Sequence, residues 1–252
     1  MIVTLGWQLG LALVLLVALG VAASRAGRLG HEKSMLVSSA RAALQLAAVS
    51  FIIVICLRHL ALAALFSLLM FVVAVRTTAQ RTGVGSAWPW TTLAMACGVL
   101  PVLAVVFGTG VSPLSGAALV PVAGIIIGNM MTAHTLVGRR QFAALRDDVG
   151  TYEAALSLGM DRHRSIRLVT ERTAGEALVP NLDTTRTVGL VTLPGAFVGV
   201  LLGGGSALQA GAAQVLVLIG IMAGQAITIV VANELIARAK LLPADLREAL
   251  HP

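Results

Sequence analysis

The chain has 252 residues, of which 58% are hydrophobic and only 12% charged, with a formal net charge of +7 and a mean hydropathy of +0.92. Because a soluble domain carries roughly 25% charged residues, this composition excludes an ordinary soluble protein and predicts an integral membrane protein. The apolar runs are continuous and not alternating, which predicts membrane helices and argues against a membrane β-barrel. The basic residues concentrate in particular loops, so the positive charge indicates membrane topology and not nucleic-acid binding.

Seven apolar segments are predicted to span the membrane in an all-α polytopic fold, which we expect to form a single transmembrane domain over residues 1–252. No lysine or arginine precedes the first segment, the reverse of a cleaved signal peptide, so we expect that segment to be retained. In chain order, the predicted spans are about 5–23, 36–57, 60–75, 91–107, 117–137, 183–202 and 211–232.

The loops between these spans alternate in charge. One set, which includes the long loop and the C-terminal tail, carries 15 of the 18 lysines and arginines. The other set carries only Arg58, and its loops 108–116 and 203–210 have no charge. Basic loops face the cytoplasm, so we expect a multi-pass protein of the cell (inner or plasma) membrane. Its N-terminus is then outside, and the C-terminus and the loop at about 138–182 are cytoplasmic.

The long loop is predicted to be helical. From Arg139 to about Gly159 helix-forming residues dominate, and a second helical segment runs from about Arg162 to Leu178. Gly159 suits the end of the first helix, because glycine readily adopts the left-handed conformation that follows a helix. One face of the first helix is apolar at three- to four-residue spacing: Phe142, Leu145, Val149, Tyr152 and Leu156.

Polar residues inside spans are costly and usually face a protein interior or a cavity. Leu193-Pro194-Gly195 in addition predicts a kink or break in the sixth span, because proline removes a backbone donor. Asp183 and Arg186 are open to two interpretations, an interfacial ion pair or a gate. The candidate path or gate residues are Arg41, Gln45, Asn129, His134, Asp183, Arg186 and Pro194.

The sequence predicts no catalytic centre and leaves the metal ligands undetermined. Asn129, Met130, Met131 and His134 cluster in the fifth span, but methionine in a membrane helix is open to both ligation and plain packing. The sequence contains no Gly-x-x-x-x-Gly-Lys-Ser/Thr loop and no His-x-x-x-His or Cys-x-x-Cys pair. We therefore expect no cofactor and no ATPase site in this chain.

Close helix packing is predicted where glycines recur four residues apart, either within the chain or at a dimer seam. These glycines are Gly124 and Gly128; Gly195, Gly199 and Gly203; and Gly220 and Gly224.

Glu153-Ala154-Ala155 followed by Gly159 resembles the loop by which ABC-transporter permeases dock onto their ATPase. Several further runs resemble the iron-export ABC permease family, which includes plant permeases linked to aluminium tolerance. These runs are Pro121-Val122-Ala123-Gly124, Ile127-Gly128-Asn129, Pro180-Asn181, Thr187-Val188-Gly189-Leu190-Val191-Thr192-Leu193-Pro194-Gly195 and Leu202-Gly203-Gly204.

The resemblance implies a permease subunit, expected as a homodimer, that pairs with a separate cytoplasmic ABC ATPase and exports iron or a related metal. It assigns the coupling role to Glu153, Ala154, Ala155 and Gly159. The alternatives are an ATP-independent channel or secondary transporter, marked by paired intramembrane carboxylates or an internal repeat, and a membrane-embedded enzyme. The sequence shows neither of the transporter marks and no clustered catalytic set.

Overall fold

A computed structural model describes residues 6–250, apart from the side chains of residues 55 and 57. Within this part of the chain the regular structure is helical and contains no β-strand, which confirms the all-α prediction. The α-helices are α1 (Trp7–Ala26), α2 (Glu32–Arg58), α3 (Leu60–Arg81), α4 (Trp88–Gly108), α5 (Gly116–Asp147), α6 (Val149–Ser157), α7 (Arg162–Ala174), α8 (Val179–Thr187), α9 (Gly195–Leu202), α10 (Ala207–Ala237) and α11 (Ala244–Ala249). Short 3₁₀ turns at Gly85–Ala87 and Gly175–Leu178 precede α4 and α8.

Six helices in the described part of the chain are long and apolar enough to cross a membrane: α1, α2, α3, α4, α5 and α10. They correspond to six of the seven predicted spans, although α5 and α10 extend well beyond the predicted limits. The span predicted at 183–202 is not a continuous helix, since α8 ends at Thr187 and α9 begins at Gly195. Pro194 stands at the start of α9, where its missing N–H and fixed φ are tolerated.

The chain divides into two compact units, Met1–Arg58 and His59–Pro252. In the first unit, α1 and α2 form a hairpin. Ser24 Oγ donates to Glu32 Oε1 at 3.1 Å near the turn, and Gly20 lies against the side chain of Met35. Most apolar side chains of these two helices are exposed, as expected for helices whose outer faces contact lipid.

In the second unit, helices α3, α5 and α10 run parallel to one another, and α4 runs antiparallel to them. Neighbouring residues along each helix pair establish these directions. The pairs are Met70 with Gly124 and Thr82 with Gly138 for α3 and α5; Asn129 with Gln225 and Gln141 with Asn233 for α5 and α10; and Gly98 with Gly224 and Val102 with Gly220 for α4 and α10.

Because α5 and α10 are parallel, the chain between them must return from one end of the unit to the other. At the start of the return, Ala177 is buried in the same core as Leu145, beyond the C-terminal part of α5. Near its finish, Val200 shares a pocket wall with Val106 and Val111 at the opposite end. The segment Val179–Leu202 therefore makes this return as a broken element, with its break at 188–194.

The basic residues gather where α3, α5 and α10 finish, which we call the basic end: Arg76, Arg81, Arg139, Arg140, Arg146, Arg238 and Lys240. A continuous apolar core at this end joins α5, α6, α7, α10 and α11. A second core, containing the fully buried Met95, Ile126 and Met130, fills the space between α3, α4, α5 and α10.

Candidate functional site

The predicted helical pair in the charged loop consists of α6 and α7. The single helix predicted from Arg139 to Gly159 is wrong in one respect, because the chain bends at Asp148, where φ is −125° and ψ is 38°. The turn predicted at Gly159 is confirmed: its φ is +85°, a conformation that costs little only for glycine. Its N–H donates to the Leu156 carbonyl at 2.9 Å, and the Met160 N–H donates to the Ala155 carbonyl at 3.1 Å. Asp161 then begins α7 by accepting from the Arg164 N–H at 2.8 Å.

The inner face of the pair is packed into the core of the basic end. Tyr152 and Leu145 are 2% and 0% exposed, and Ile166 on α7 is fully buried. The apolar face predicted from residue spacing is therefore confirmed. Burial raises the pKa of Tyr152 above its ordinary value, against the lowering effect of Arg162. The phenol consequently remains protonated at neutral pH.

The outer face of the pair ends in an exposed tip. Glu153, Ala154 and Gly159 are exposed, and Leu158 between them is 84% exposed. Ala155, in contrast, is only 2% exposed and faces the core. Three of the four predicted coupling residues are thus exposed and could contact a partner. Ala155 is buried, so its small side chain allows α6 to pack closely on the core and does not contact a partner. The sequence interpretation overlooked Leu158, the most exposed large side chain of the tip.

Polar contacts also join the end of α5 to two neighbouring segments at the basic end. Arg146 at the end of α5 donates to both carboxylate oxygens of Asp245, at 2.7 and 3.2 Å, which joins α5 to the segment that begins α11. This hydrogen bond holds the pKa of the Asp245 carboxyl below its ordinary value. Arg140 forms an ion pair with Glu176 at 3.4 Å, which joins α5 to the chain that leads into α8.

Asn129 and His134 both lie on α5, but the structure gives them different surroundings. The side-chain amide of Asn129 donates to the Ile125 carbonyl at 2.9 Å, and the backbone carbonyl of Asn129 accepts from the Gln225 side chain of α10 at 3.3 Å. His134 is 1% exposed, and neither ring nitrogen has a hydrogen-bond partner among the described residues. His134 is therefore an unsatisfied polar group inside the helix bundle.

The other predicted path residues lie elsewhere. Arg41 and Gln45 are exposed on α2 in the first unit. Asp183 and Arg186 are exposed on α8 and form an ion pair at 3.3 Å, while Pro194 is the residue before α9. In the described part of the chain, no group of three or more histidine, cysteine, aspartate or glutamate side chains could hold a metal ion.

Sequence reasoning did not anticipate the close crossing of α4 and α10. A Cβ on Gly98 would overlap Thr228 Oγ1 and lie 2.6 Å from the Gly224 carbonyl oxygen, while one on Gly224 would lie 3.0 Å from the Gly98 carbonyl. Thr228 Oγ1 also donates to Met130 Sδ at 3.1 Å, which connects α5 to the same point. The spacing of Gly220 and Gly224 predicted close packing, but Gly98 has no glycine four residues away to indicate its role.

These features define a multi-pass, all-α membrane protein with a helical pair at its basic end. The family model described as uncharacterised protein family UPF0014 matches residues 6–241, and the chain belongs to this family.

Three relatives illustrate the family's members. UPF0014 membrane protein STAR2 of Oryza sativa subsp. japonica is 32% identical over 87% of this chain and 78% of its own. Protein ALUMINUM SENSITIVE 3 of Arabidopsis thaliana is 31% identical over 82% and 77%. The probable iron export permease protein FetB of Escherichia coli (strain K12) is 27% identical over 89% and 88%. No solved structure matches the chain.

Proposed function

We propose that this chain is the permease subunit of an ATP-driven ABC transporter that exports iron or a related metal ion. In this proposal it forms a single permease domain in the cell membrane, with the basic end in the cytoplasm, and a separate cytoplasmic subunit hydrolyses ATP. The cargo and direction rest on the similarity to FetB, which is named a probable iron export permease. The observation that carries the coupling role is the α6–α7 pair, whose tip is exposed and whose base is buried.

A coupling element must transmit a displacement without deforming. The α6–α7 pair meets this requirement because Tyr152 and Ile166 are packed into one core with Leu145 of α5 and Ile236 of α10. Close-packed cores transmit strain because they contain few voids. A push on the tip at Leu158 would therefore tilt α5 and α10 together, and α5 is continuous from the membrane region to Asp147. Such rigid-body movement is a common basis of switching transitions.

The broken element Val179–Leu202 is the part of the fold best suited to line a path. Three backbone hydrogen bonds form within the break. The Gly189 N–H donates to the Thr192 carbonyl, and the N–H groups of Leu190 and Val191 donate to the Thr187 carbonyl. Leu190 is 91% exposed. Irregular backbone at membrane depth is tolerated only where it is covered by protein or lines a water-filled cavity. The break is therefore proposed to face a cavity and not lipid.

The exposure of α8 favours a homodimer in which a second copy of the chain forms the other wall of that cavity. None of its residues is buried, and its exposed residues include the Asp183–Arg186 ion pair and Thr184. A helix with this composition is unsuited to lipid, because intramembrane charges face protein or water. A homodimer with α8 and α9 along the shared path would satisfy both requirements, with Asp183, Arg186 and Pro194 as gate candidates.

Among the candidate cargo ligands, His134 has the clearest support. Both of its ring nitrogens are unpartnered among the described residues, whereas the Asn129 amide is bonded to its own helix. The sulfur of Met130 accepts a hydrogen bond from Thr228, which favours a packing role for that methionine. Arg41 and Gln45 remain path candidates from the first unit.

Affinity purification from native membranes would test the coupling role. The test variant is Glu153→Lys with Leu158→Ser at the exposed tip. The matched control is Glu248→Lys with Leu208→Ser, which makes the same changes at exposed sites elsewhere, and Leu208 is also 84% exposed. We expect a nucleotide-binding protein and ATPase activity to co-purify with the wild type and the control, and to fall about tenfold or more with the test variant, as expected when a central apolar anchor and a charge are both lost.

Equal recovery of the ATPase with both variants would show that the tip is not the docking site. Purification of the chain without any ATPase, from cells in which it still transports metal, would contradict the ABC proposal. The protein would then be an ATP-independent channel or secondary transporter.

A further inference from the structure

A basic cleft lies at the point where α10 ends and α7 begins. It is lined by Arg162 and His163 at the start of α7 and by Ala237, Arg238 and Lys240 at the end of α10, and it encloses about 490 Å³. Two elements distant in sequence thus bring four nitrogen-bearing side chains to one opening. None of these residues belongs to the exposed tip or to the proposed path.

The charges around this cleft leave a positive excess. Glu234 is the acid in contact with it, accepting from Arg238 Nε at 2.6 Å and lying 3.4 Å from His163 Nε2. Arg162 interacts with Tyr152 through its guanidinium, but its buried Nε has no hydrogen-bond partner. Three permanent positive charges therefore surround one carboxylate. A net positive charge carried by arginine and lysine side chains is what a phosphate group requires.

The surroundings of Lys240 place the cleft close to the membrane surface. Its Nζ lies 4.4 Å from the centre of the Trp90 ring, and Trp90 belongs to the first turn of membrane helix α4. Trp88, two residues earlier, is 58% exposed. Tryptophan is enriched at the level of the lipid headgroups, and basic pockets between membrane helices on the cytoplasmic side bind anionic headgroups.

We propose that the basic cleft binds a phosphate group, supplied in the membrane by the headgroup of an anionic phospholipid. The arginines and Lys240 hold the phosphate oxygens, and Trp90 keeps the Lys240 ammonium at headgroup level. Binding there would hold α7, one helix of the α6–α7 pair, against α10. The site does not depend on the proposed transport function, because the side chains that form it belong neither to the exposed tip of the α6–α7 pair nor to the proposed path.

Binding can be measured on the full-length detergent-purified protein by titration with three probes: short-chain phosphatidylglycerol, short-chain phosphatidylcholine and inorganic phosphate. The test variant is Arg162→Gln with Lys240→Gln. The matched control is Arg164→Gln with Arg167→Gln, which removes the same charge from exposed positions of α7 outside the cleft. Thermal unfolding of each protein confirms folding. Lys240→Gln alone serves as a milder variant, because that side chain is exposed.

We expect phosphatidylglycerol to bind the wild type and the control more tightly than phosphatidylcholine. The test variant should lose about 25-fold in phosphatidylglycerol affinity, since each of the two basic residues near an anionic headgroup contributes roughly fivefold. If inorganic phosphate binds as tightly as the lipid and is lost equally in the test variant, the phosphate site stands and its source is soluble. Equal losses of affinity in the test variant and the control would overturn the proposal. So would a wild-type protein that binds neither phosphatidylglycerol nor inorganic phosphate.

Discussion

At the residue scale, a few close contacts fix where α4, α5 and α10 pack against one another. Gly98 and Gly224 permit the backbones of α4 and α10 to touch, and Thr228 and Met130 close the gap to α5. Small residues are expected at such crossings, because membrane helices associate through packing and not through a hydrophobic driving force between them. Gly98 therefore tolerates a larger side chain least well, because a Cβ there would overlap both Thr228 and Gly224.

Gly98→Ala is expected to destabilise the protein by about 1–3 kcal/mol, the usual cost of overpacking a tight site. The added methyl group would overlap Thr228 Oγ1 and press on the Gly224 carbonyl. Thermal unfolding in detergent should show a clear fall in midpoint. Gly128→Ala in α5 is the control, because a Cβ there meets nothing within 4 Å. Equal stability of the two variants would contradict the close crossing.

The Arg146–Asp245 pair is predicted to make a small, pH-dependent contribution. The folded-state pKa of Asp245 is lowered by Arg146, so the stabilisation is present above the unfolded-state pKa and is lost as the pH falls through the folded-state pKa. Both side chains are about half exposed, which limits the coupling to roughly 0.2–1 kcal/mol. A double-mutant cycle with Arg146→Gln and Asp245→Asn should measure this coupling at neutral pH and none in strong acid.

At the element scale, the two interrupted segments have different causes. Between α5 and α6 the chain bends at Asp148, whose carbonyl and Oδ1 both accept from Thr151, and asparagine and aspartate commonly redirect a chain in this way. Between α8 and α9 the chain turns at Gly189, whose φ is +85°, and Pro194 directly precedes α9, where it has no N–H to donate to the preceding turn. The first interruption separates the α6–α7 pair from α5, and the second divides the segment Val179–Leu202 into two short helices.

Water access to the α8–α9 break can be measured by cysteine labelling after Cys56 and Cys97 are replaced by alanine. We expect Leu190→Cys and Thr192→Cys to react rapidly with a membrane-impermeant maleimide, because the break is proposed to line a cavity. Leu100→Cys, at a 64% exposed position of α4, is the control and should react slowly if its exposure is to lipid. Slow labelling of all three positions would place the break against lipid or within packed protein.

At the scale of the whole molecule, the parallel arrangement of α5 and α10 determines the number of passages. Six helices among residues 6–250 are long and apolar enough to cross a membrane, yet two parallel neighbours require a return of the chain between them. We propose that Val179–Leu202 is the seventh membrane passage, which would put the basic residues at the ends of α3, α5 and α10 on one side of the membrane. This agrees with the orientation expected from the alternation of charge between loops.

Labelling of single cysteines in intact cells would test this orientation. Leu208→Cys, at the start of α10, should react with an impermeant thiol reagent from outside. Glu248→Cys, on α11 at the basic end, should react only after the membrane is permeabilised. Both positions are exposed, so a difference in rate reports the side of the membrane and not burial. The reverse pattern would invert the proposed topology and move the α6–α7 pair away from the cytoplasm.

Much of this architecture was predictable from local sequence. Continuous apolar runs predicted seven spans, six of which correspond to long helices in the described part of the chain. Gly159 indicated the turn between α6 and α7, and Pro194 indicated the break, because each depends on short-range chemistry of the backbone. The apolar face that includes Leu145 and Tyr152 was readable from helical spacing for the same reason. Ala155 shows the limit of prediction from local sequence, because its burial depends on which other helices pack against α6.

The sequence by itself determined the all-α membrane class, the helical pair and the alternation of charge between loops, because these follow from composition, helical periodicity and turn chemistry along the chain. Only the tertiary structure decided which helices are parallel, that Gly98 meets Gly224, that His134 is buried without a partner, and that Arg162 and Lys240 share a cleft. Each of these depends on contacts between residues far apart in the chain, and packing in three dimensions selects those contacts from many that the same local pattern allows.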